Sequence, residues 1–233
     1  KESLTRDEFL KYAWEWKEKY GGIILEQLKK LGASCDWNRT KFTMDEDLSK
    51  SVIKVFIDLY EKGFVYNTDN PSLWDPEFQT AVAQAEIEDR EMPGAFHDIR
   101  FETDSNESFV ISTTRPELLA ACVGVAAHPD DKRFKHLIGK NAITPLFGIK
   151  VPVFGSELVD MEKGTGILMV CTFGDNVDVQ WWQENNLDTR IIVNKYGRLD
   201  EVSFGSNEWE SENPEKANNF YFRIAGKTLK QAK

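Results

Sequence analysis

"SFVISTTRPELLAACVGVAAHPDD", residues 108–131, is the stretch that decides how the chain is built. An apolar run ends in Ser112-Thr113-Thr114, passes through Arg115-Pro116-Glu117 and becomes apolar again. Pro116 locks its own φ and drives Arg115 towards an extended backbone. Proline also favours the first helical position. The stretch therefore predicts a strand over 109–113, a short helix from Pro116 and a second strand over 123–127. A strand that ends beside a helix N-terminus gathers unpaired N–H groups and a partial positive charge. Such a place suits an ester carbonyl, an anion or a positioned water. Two readings of these residues stand together. In the first, Thr114 caps the helix and Arg115 pairs with Glu117. In the second, Thr113, Thr114 and Arg115 face a substrate.

Working outward, the same alternation predicts further strands over 96–101, 142–144, 151–154, 166–171 and 190–193, with helical pieces after Pro129 and Asp175. Many short strands with intervening helices make an α/β fold, a closed or nearly closed β-barrel with peripheral helices. Upstream the pattern is helical. Thr5-x-x-Glu8 is a capping box followed by Phe9, Tyr12, Ala13, Trp16 and Tyr20 at helical spacing. Gly21-Gly22 interrupts, and a helix resumes over 23–30. Thr43-x-x-Glu46 is expected to cap another, with Leu48, Val52, Val55, Phe56 and Leu59 on one face and Gly63 ending it. Residues 203–219 read as an exposed acidic loop, and a last helix opens at Thr228 after a strand end. The organisation expected is a helical flank over 1–63, a hairpin and linker region over 64–93, a barrel core over 94–200, and an acidic loop with a C-terminal return segment over 201–233.

Composition narrows the function. A net charge of -10 opposes broad nucleic-acid affinity, which needs clustered Lys and Arg, so contact with an RNA end would require a local basic patch. No stretch approaches the roughly 18 apolar residues of a membrane span. Cys35, Cys122 and Cys171 are far apart and form no C-x-x-C pair, which fits a reducing cytoplasm. Lys1-Glu2-Ser3 is neither an initiator methionine nor a signal peptide, and with the open last helix this reads as a segment of a longer protein.

A second chemical stretch is "GTGILMVCTFGDNVDVQWW", residues 164–182. Its Gly-Thr-Gly precedes a strand and lacks a third glycine, so it is not a dinucleotide fingerprint. After the strand come Thr172, Asp175 and Asp178. Asp175 sits where an N-cap would, and both acids suit a first helical turn. Alternatively, one carboxylate projects into a pocket and holds an ammonium group. His97, His128 and His136 complete no G-x-S-x-G or H-E-x-x-H arrangement, and neither a P-loop nor a metal site is recognisable.

The segments "STTRPE", "GVAAHPDD", "GTGILMVCTFGDNVDVQWW" and, upstream, "LGASCDWNRTKFTMDEDLSKSVIKVFIDLYEKGFVY" together resemble the valyl-tRNA synthetase family of class I, in particular its inserted editing domain. The "CTFGD…DV…WW" form is similar to the archaeal or eukaryote-like branch more than to isoleucyl or leucyl relatives. The resemblance implies a β-barrel-like α/β editing domain with a helical flank from the synthetase core. Neither an H-I-G-H-type nor a K-M-S-K-S-type motif is present, so no aminoacylation site is expected here. The partners implied are the 3′ end of valine tRNA carrying threonine and the rest of the synthetase chain, with no membrane. No cofactor is expected in this segment, although the full-length enzyme would use ATP. Where relatives hold zinc between two cysteines flanking a proline, this sequence has Trp74-Asp75-Pro76-Glu77, so no zinc is expected there.

By the same resemblance Asp178 binds the substrate ammonium, and Thr113 and Thr114 orient the terminal adenosine, the ester or the water. Arg115 holds the substrate or a neighbouring carboxylate, and Asp175 accepts the threonine hydroxyl with Thr172 beside it. Lys163 stands where relatives have an aromatic residue and Met169 where they have a lysine, so hydroxyl recognition differs in detail. The activity implied is hydrolysis of threonyl-tRNA by water. The competing expectations are an isoleucyl-type editor that clears valine, and a non-catalytic tRNA-docking module.

Overall fold

The computed structural model describes residues 4–68, 70–206 and 208–233. The chain divides into two compact units, Lys1–Thr68 and Asp69–Lys233. In the first, α1 (Arg6–Tyr20) starts at the expected capping box: the Thr5 amide donates to Glu8 Oε2 at 2.8 Å, and Thr5 Oγ1 accepts from the Glu8 amide. Gly21-Gly22 separates it from α2 (Ile23–Lys30). The Thr43 box does not form. Asp45 is the N-cap of α3 (Glu46–Glu61), and Thr43 falls in the preceding turn, because Asp45 Oδ2 accepts the Phe42 amide at 2.9 Å and folds that turn back. Gly63 ends α3 at a φ of 76°, the left-handed conformation glycine adopts freely. The apolar face of α3 is exposed, Val52 by 65% and Phe56 by 56%.

The second unit opens with a hairpin, β1 (Trp74–Asp75) on β2 (Thr80–Ala81), whose turn is held by Asp75 Oδ1 accepting the Glu77 and Phe78 amides. Six longer strands follow: β3 (His97–Thr103), β4 (Ser108–Thr113), β5 (Cys122–Ala127), β6 (Asn141–Ile143), β7 (Lys150–Gly155) and β8 (Ile167–Cys171). They form one sheet in the order β4-β3-β6-β7-β5-β8, antiparallel except for the parallel β5–β7 pair. The sheet curls until its two edges meet. The Ser112 amide of β4 donates to Thr165 Oγ1 in the turn before β8, at 3.2 Å. The result is the nearly closed barrel expected from the strand pattern.

Alternation explains the interior. Phe101 of β3 and Ile111 of β4, with Val125, Val151 and Ile167, face one core. Ala126 and Val170 point to the other face, and the bulge between Cys122 and Gly124 turns Val123 to it as well, where Trp181 covers them. β5 is buried along its whole length, since both of its faces are covered. Trp181 belongs to α4 (Asn176–Glu184), the helix expected after Asp175, and its indole N–H donates to Ser156 Oγ at 2.9 Å.

Further expectations are corrected. Residues 190–193 are not a strand: the Arg190 amide is taken by Thr172 Oγ1, and only Val193 bridges to Leu199. After Pro129 there are turns, then a single 3-10 turn over Lys135–Leu137, because Asp131 Oδ1 captures the Arg133 amide at 2.9 Å. The supposed acidic loop contains α5 (Pro214–Tyr221), with Asn213 as N-cap and proline in the first turn. Ala217 and Tyr221, four residues apart, give it a buried face, and Asn218 holds the Phe204 amide and carbonyl at 2.8 and 3.0 Å. Its one acidic residue, Glu215, is exposed, and its other neighbours are mostly polar, which hides this apolar spacing. The last helix, α6 (Leu229–Ala232), opens at Thr228 as expected, after turns and not a strand.

Candidate functional site

The hydroxyl-rich end of β4 and the acidic start of α4 meet. Thr113 is the last residue of β4 and is half-buried; its Oγ1 accepts the Arg115 amide at 3.1 Å, which turns the chain into a 3-10 helix over Pro116–Ala121. Thr114 is exposed at the corner, and its carbonyl accepts the Lys233 ammonium at 2.7 Å. Arg115 points across the gap. Nη1 donates to the Gly174 carbonyl at 2.7 Å, while Nε reaches Glu117 Oε1 at 3.4 Å. Arg115 therefore pairs with Glu117, as the first reading expects, and also ties the strand end to the second segment; Thr114 supplies no cap, since the turn is closed by Thr113 Oγ1.

On that second segment the two aspartates separate by environment. Asp175 is exposed and caps α4, its Oδ1 accepting the Val177 and Asp178 amides at 2.9 Å each. Asp178 is buried, and its Oδ2 accepts the Cys171 amide at 3.2 Å. Burial pushes the Asp178 carboxyl up to about 7, and the neighbouring Asp175 charge adds to the rise. The Cys171 amide and the charge of Arg115 pull the other way without winning. A buried carboxyl that titrates near neutrality is the kind of group that binds or moves charge.

Gly174 makes this geometry possible. A Cβ there would overlap the Asp178 carboxylate. The glycines of the 164–166 turn do similar service. A Cβ on Gly164 would meet Ser112 Cβ at 3.0 Å, and one on Gly166 would meet the Arg133 guanidinium and the Met161 carbonyl. Thr165 between them supplies the hydroxyl that ties β8 to β4.

A cavity of about 720 Å³ lies beside the Arg115–Gly174 link. Arg115, Thr172 and Gly174 stand in its wall, with Trp74, Arg190 and Lys195. Thr172 is buried; its Oγ1 accepts the Arg190 amide at 2.9 Å. Lys163 is exposed in the turn before β8, and Met169 packs into the core from β8, opposite Val125. Neither lines the cavity, nor do Thr113, Thr114, Asp175 and Asp178; Asp178 lies behind Gly174.

The sequence reading missed Arg190, Gly174 and Thr165. Arg190 looked like the start of a strand, yet its side chain is buried, with Nη1 donating to the Cys122 carbonyl at 2.9 Å. Nothing local marks it. Gly174 and Thr165 lay inside the quoted motif, and a glycine directly before an N-cap aspartate was the available signal. Cys122 and Cys171 face one another across β5 and β8 as buried thiols; burial pushes Cys122 up to about 12 and raises Cys171, so both are inert. His128 closes its own turn by accepting the Asp130 amide, and His136 pairs with Glu107.

The sequence profile of the tRNA synthetases of class I (I, L, M and V) matches residues 1–224 of the chain. The chain is 48% identical over 195 residues to the valine–tRNA ligase of Christiangramia forsetii, covering 83% of this chain and 22% of that protein. It is 45% identical over 205 residues to the valine–tRNA ligase of Thermobifida fusca, covering 88% and 23%. The chain thus spans less than a quarter of the length of these relatives. A solved ternary complex of LeuRS, tRNA and LeuAMS from Agrobacterium radiobacter K84 is similar over 91% of this chain and 36% of that one, with 17% identity and a TM-score of 0.39.

Proposed function

The chain belongs to the class I tRNA synthetases of the isoleucine, leucine, methionine and valine group, and on that footing we propose that it is the editing region of a valine-type enzyme, hydrolysing threonine from mischarged valine tRNA. The need for such a site is physical. Threonine and valine are nearly isosteric, and an apolar pocket cannot strongly reject an added hydroxyl. Valyl-tRNA synthetases facing threonine are the standard example of this limit, at roughly a hundredfold discrimination. A second site that hydrogen-bonds the hydroxyl accepts threonine and rejects valine, which would leave its polar groups unpaired.

The observation that carries the proposal is the Arg115–Gly174 hydrogen bond, which draws the Thr113-Thr114 strand end against the helix start that bears Asp178. In the mechanism, a water oxygen attacks the aminoacyl carbonyl carbon. The ester C–O bond then breaks, and the ribose oxygen leaves and takes up a proton, giving free threonine and uncharged tRNA. The ester is already reactive, so positioning and oxyanion stabilisation suffice without a protein nucleophile. Ionised Asp178 holds the α-ammonium. Thr113 and Thr114 orient the ester and the water at the strand end. Asp175 has Oδ1 committed to its cap, so Oδ2 is the oxygen offered to the threonine hydroxyl. Arg115 positions the Gly174 turn, and through it Asp178. Thr172 stands in the cavity wall just after β8, while Lys163 and Met169 lie outside it. The partners are the threonine-charged valine tRNA and the remainder of a synthetase chain, working in the cytoplasm.

The competing reading is a docking module in which every polar residue is a cap or an ion pair. The capping bonds of Asp175 and the Arg115–Glu117 pair favour it. Deacylation of threonyl-tRNA(Val), with valyl-tRNA(Val) and valyl-tRNA(Ile) as controls, decides between them. Threonine release that disappears in Asp178→Asn supports the editor. Preferential release of valine from isoleucine tRNA would move the assignment to an isoleucyl-type site. Intact threonyl-tRNA with retained tRNA binding would leave only docking.

A further inference from the structure

Glu117 is a buried acid whose placement stability does not explain. It sits in the 3-10 helix over Pro116–Ala121, with a side chain only 6% exposed. Its Oε1 meets Arg115 Nε at 3.4 Å, a single long contact, and its Oε2 is buried without a partner. The chain builds such pairs better elsewhere. Asp131, equally buried, grips Arg133 through both oxygens: Nε donates to Oδ1 at 2.9 Å and Nη2 to Oδ2 at 2.6 Å. That is the fork geometry of a strong pair. A half-bonded buried carboxylate costs more in desolvation than its one contact returns. Its use lies in where it holds its partner.

That partner is a guanidinium with two destinations. Arg115 Nη1 donates to the Gly174 carbonyl at 2.7 Å. The same glycine is pressed against the Asp178 carboxylate, so closely that a Cβ there would overlap it. Arg115 and Asp178 thus approach Gly174 together. Yet Asp178 is bonded through Oδ2 to the Cys171 amide and carries no ion pair among the described residues. Two opposite charges this near would close on each other if both were free. Arg115 is not free, because Glu117 holds its Nε and Gly174 its Nη1. The other groups facing Asp178 offer no counter-ion. Asp175 on its own helix repels it, and Cys171 of β8 and Cys122 of β5 are buried thiols that stay protonated. Arg190, beyond them, is spent on the Cys122 carbonyl and Asp188.

We propose that Glu117 is a positioning residue: its buried carboxylate holds the Arg115 guanidinium on the Gly174 carbonyl and off Asp178, which leaves the Asp178 carboxylate open to a substrate ammonium. This rests on the reading that Asp178 holds the α-ammonium, and adds to it the group that keeps an internal cation from taking that place. Without the Glu117 charge, Arg115 turns to Asp178 as its counter-ion. Asp178 then ionises at lower pH, since a nearby opposite charge favours the charged form. The substrate ammonium must also displace a guanidinium before it binds. The two effects are equal in size, because each measures the same internal ion pair.

The test is a carbon-13 NMR titration of the Asp178 carboxyl in the full chain, its signal identified by its loss in Asp178→Asn. Glu117→Gln keeps the shape and deletes the charge. It should lower the Asp178 midpoint by about one pH unit, and at pH 8 raise the KM for threonyl-tRNA about tenfold with kcat little changed. Thermal melts should find it at least as stable as the parent, because an amide is cheaper to bury than a half-paired carboxylate. Glu117→Asp loses packing but keeps the charge, so its midpoint should stay near that of the parent. In an Arg115→Gln background, Glu117→Gln should lose most of its effect, since no guanidinium is left to release. A midpoint unmoved or raised in Glu117→Gln overturns the proposal and leaves Glu117 a structural residue. An equal fall in Glu117→Asp would trace the effect to packing, and a full-sized fall without Arg115 would show that Glu117 acts directly; either overturns it. The titration needs no hydrolysis, which keeps the two readings apart. A midpoint that falls in a chain that never deacylates would leave the Glu117–Arg115–Asp178 relation standing and remove the editing function. Hydrolysis that needs Asp178, with a midpoint indifferent to Glu117, would do the reverse.

Discussion

The guanidinium of Arg115 donates to the carbonyl of Gly174 at 2.7 Å, joining segments that lie 59 residues apart in the chain. It crosses the seam where β4 approaches β8, and it fixes the turn that carries Asp178 into the interior. Everything proposed for the site depends on that seam staying closed.

Asp178→Asn should lower deacylation of threonyl-tRNA by about 10²–10³-fold, the usual effect of removing a preorganised charged partner. Stability should not suffer, because an amide is cheaper to bury than an unpaired carboxylate. Single-turnover deacylation and thermal melts above pH 7, run on the same preparation, give both readings.

The raised carboxyl of Asp178 gives a signed pH dependence. Its folded value of about 7 lies above the ordinary 3.8, so the folded state keeps a proton that the unfolded chain releases. The stability this contributes is fully present below the unfolded value and is lost as pH rises through about 7. Urea denaturation across that window should show a decline that Asp178→Asn flattens. Activity should run oppositely: kcat/KM rises through about pH 7 as the carboxylate proposed to hold the ammonium ionises.

Gly174→Ala places a methyl group where the Asp178 carboxylate rests. The carboxylate must move and leave the Cys171 amide without its acceptor, at a cost of about 1–3 kcal/mol. Chemical denaturation should report that loss, and deacylation should fall together with it.

Thr165→Val keeps the shape and deletes the oxygen that accepts the Ser112 amide. The unpaired amide should cost about 1–3 kcal/mol, and Thr165→Ser should recover most of it. Hydrogen exchange at the Ser112 amide is the local readout; protection unchanged in the valine variant would mean that another group closes the barrel.

Asn218→Ala removes both hydrogen bonds that clamp Phe204 beneath α5. A loss of about 1–3 kcal/mol is expected, with deacylation per folded molecule unchanged, since α5 lies away from the Arg115 seam. Urea melts and activity normalised to folded protein check this.

Much of the architecture was legible because it is local. The Thr5–Glu8 box, the Gly21-Gly22 break, the proline-led turn at 116 and the Asp175 cap each depend on residues within one helical turn, and each forms as read. The strands of the barrel follow from alternation, which records which face is buried. The failures were also of one kind. α5 was hidden because its buried face is only Ala217 and Tyr221 among polar neighbours. The segment after Arg190 reads as a strand because its β-branched residues resemble one, while the Arg190 amide is spent on Thr172. The box at Thr43 gives way to Asp45, which takes the N-cap position two residues on.

By itself, then, the sequence determined most of the secondary elements, the nearly closed barrel and the family, because capping, alternation and motif spacing act between near neighbours. It could not say that Asp175 would stay in solvent while Asp178, the same residue type three positions on, would be buried near neutrality. Nor could it say that Arg190 would line a cavity. Those outcomes depend on the Cys171 amide, the Arg115 guanidinium and the Cys122 carbonyl, brought close by strands distant in the chain. Only the closed sheet decides them, because desolvation and charge act through space and not along the backbone.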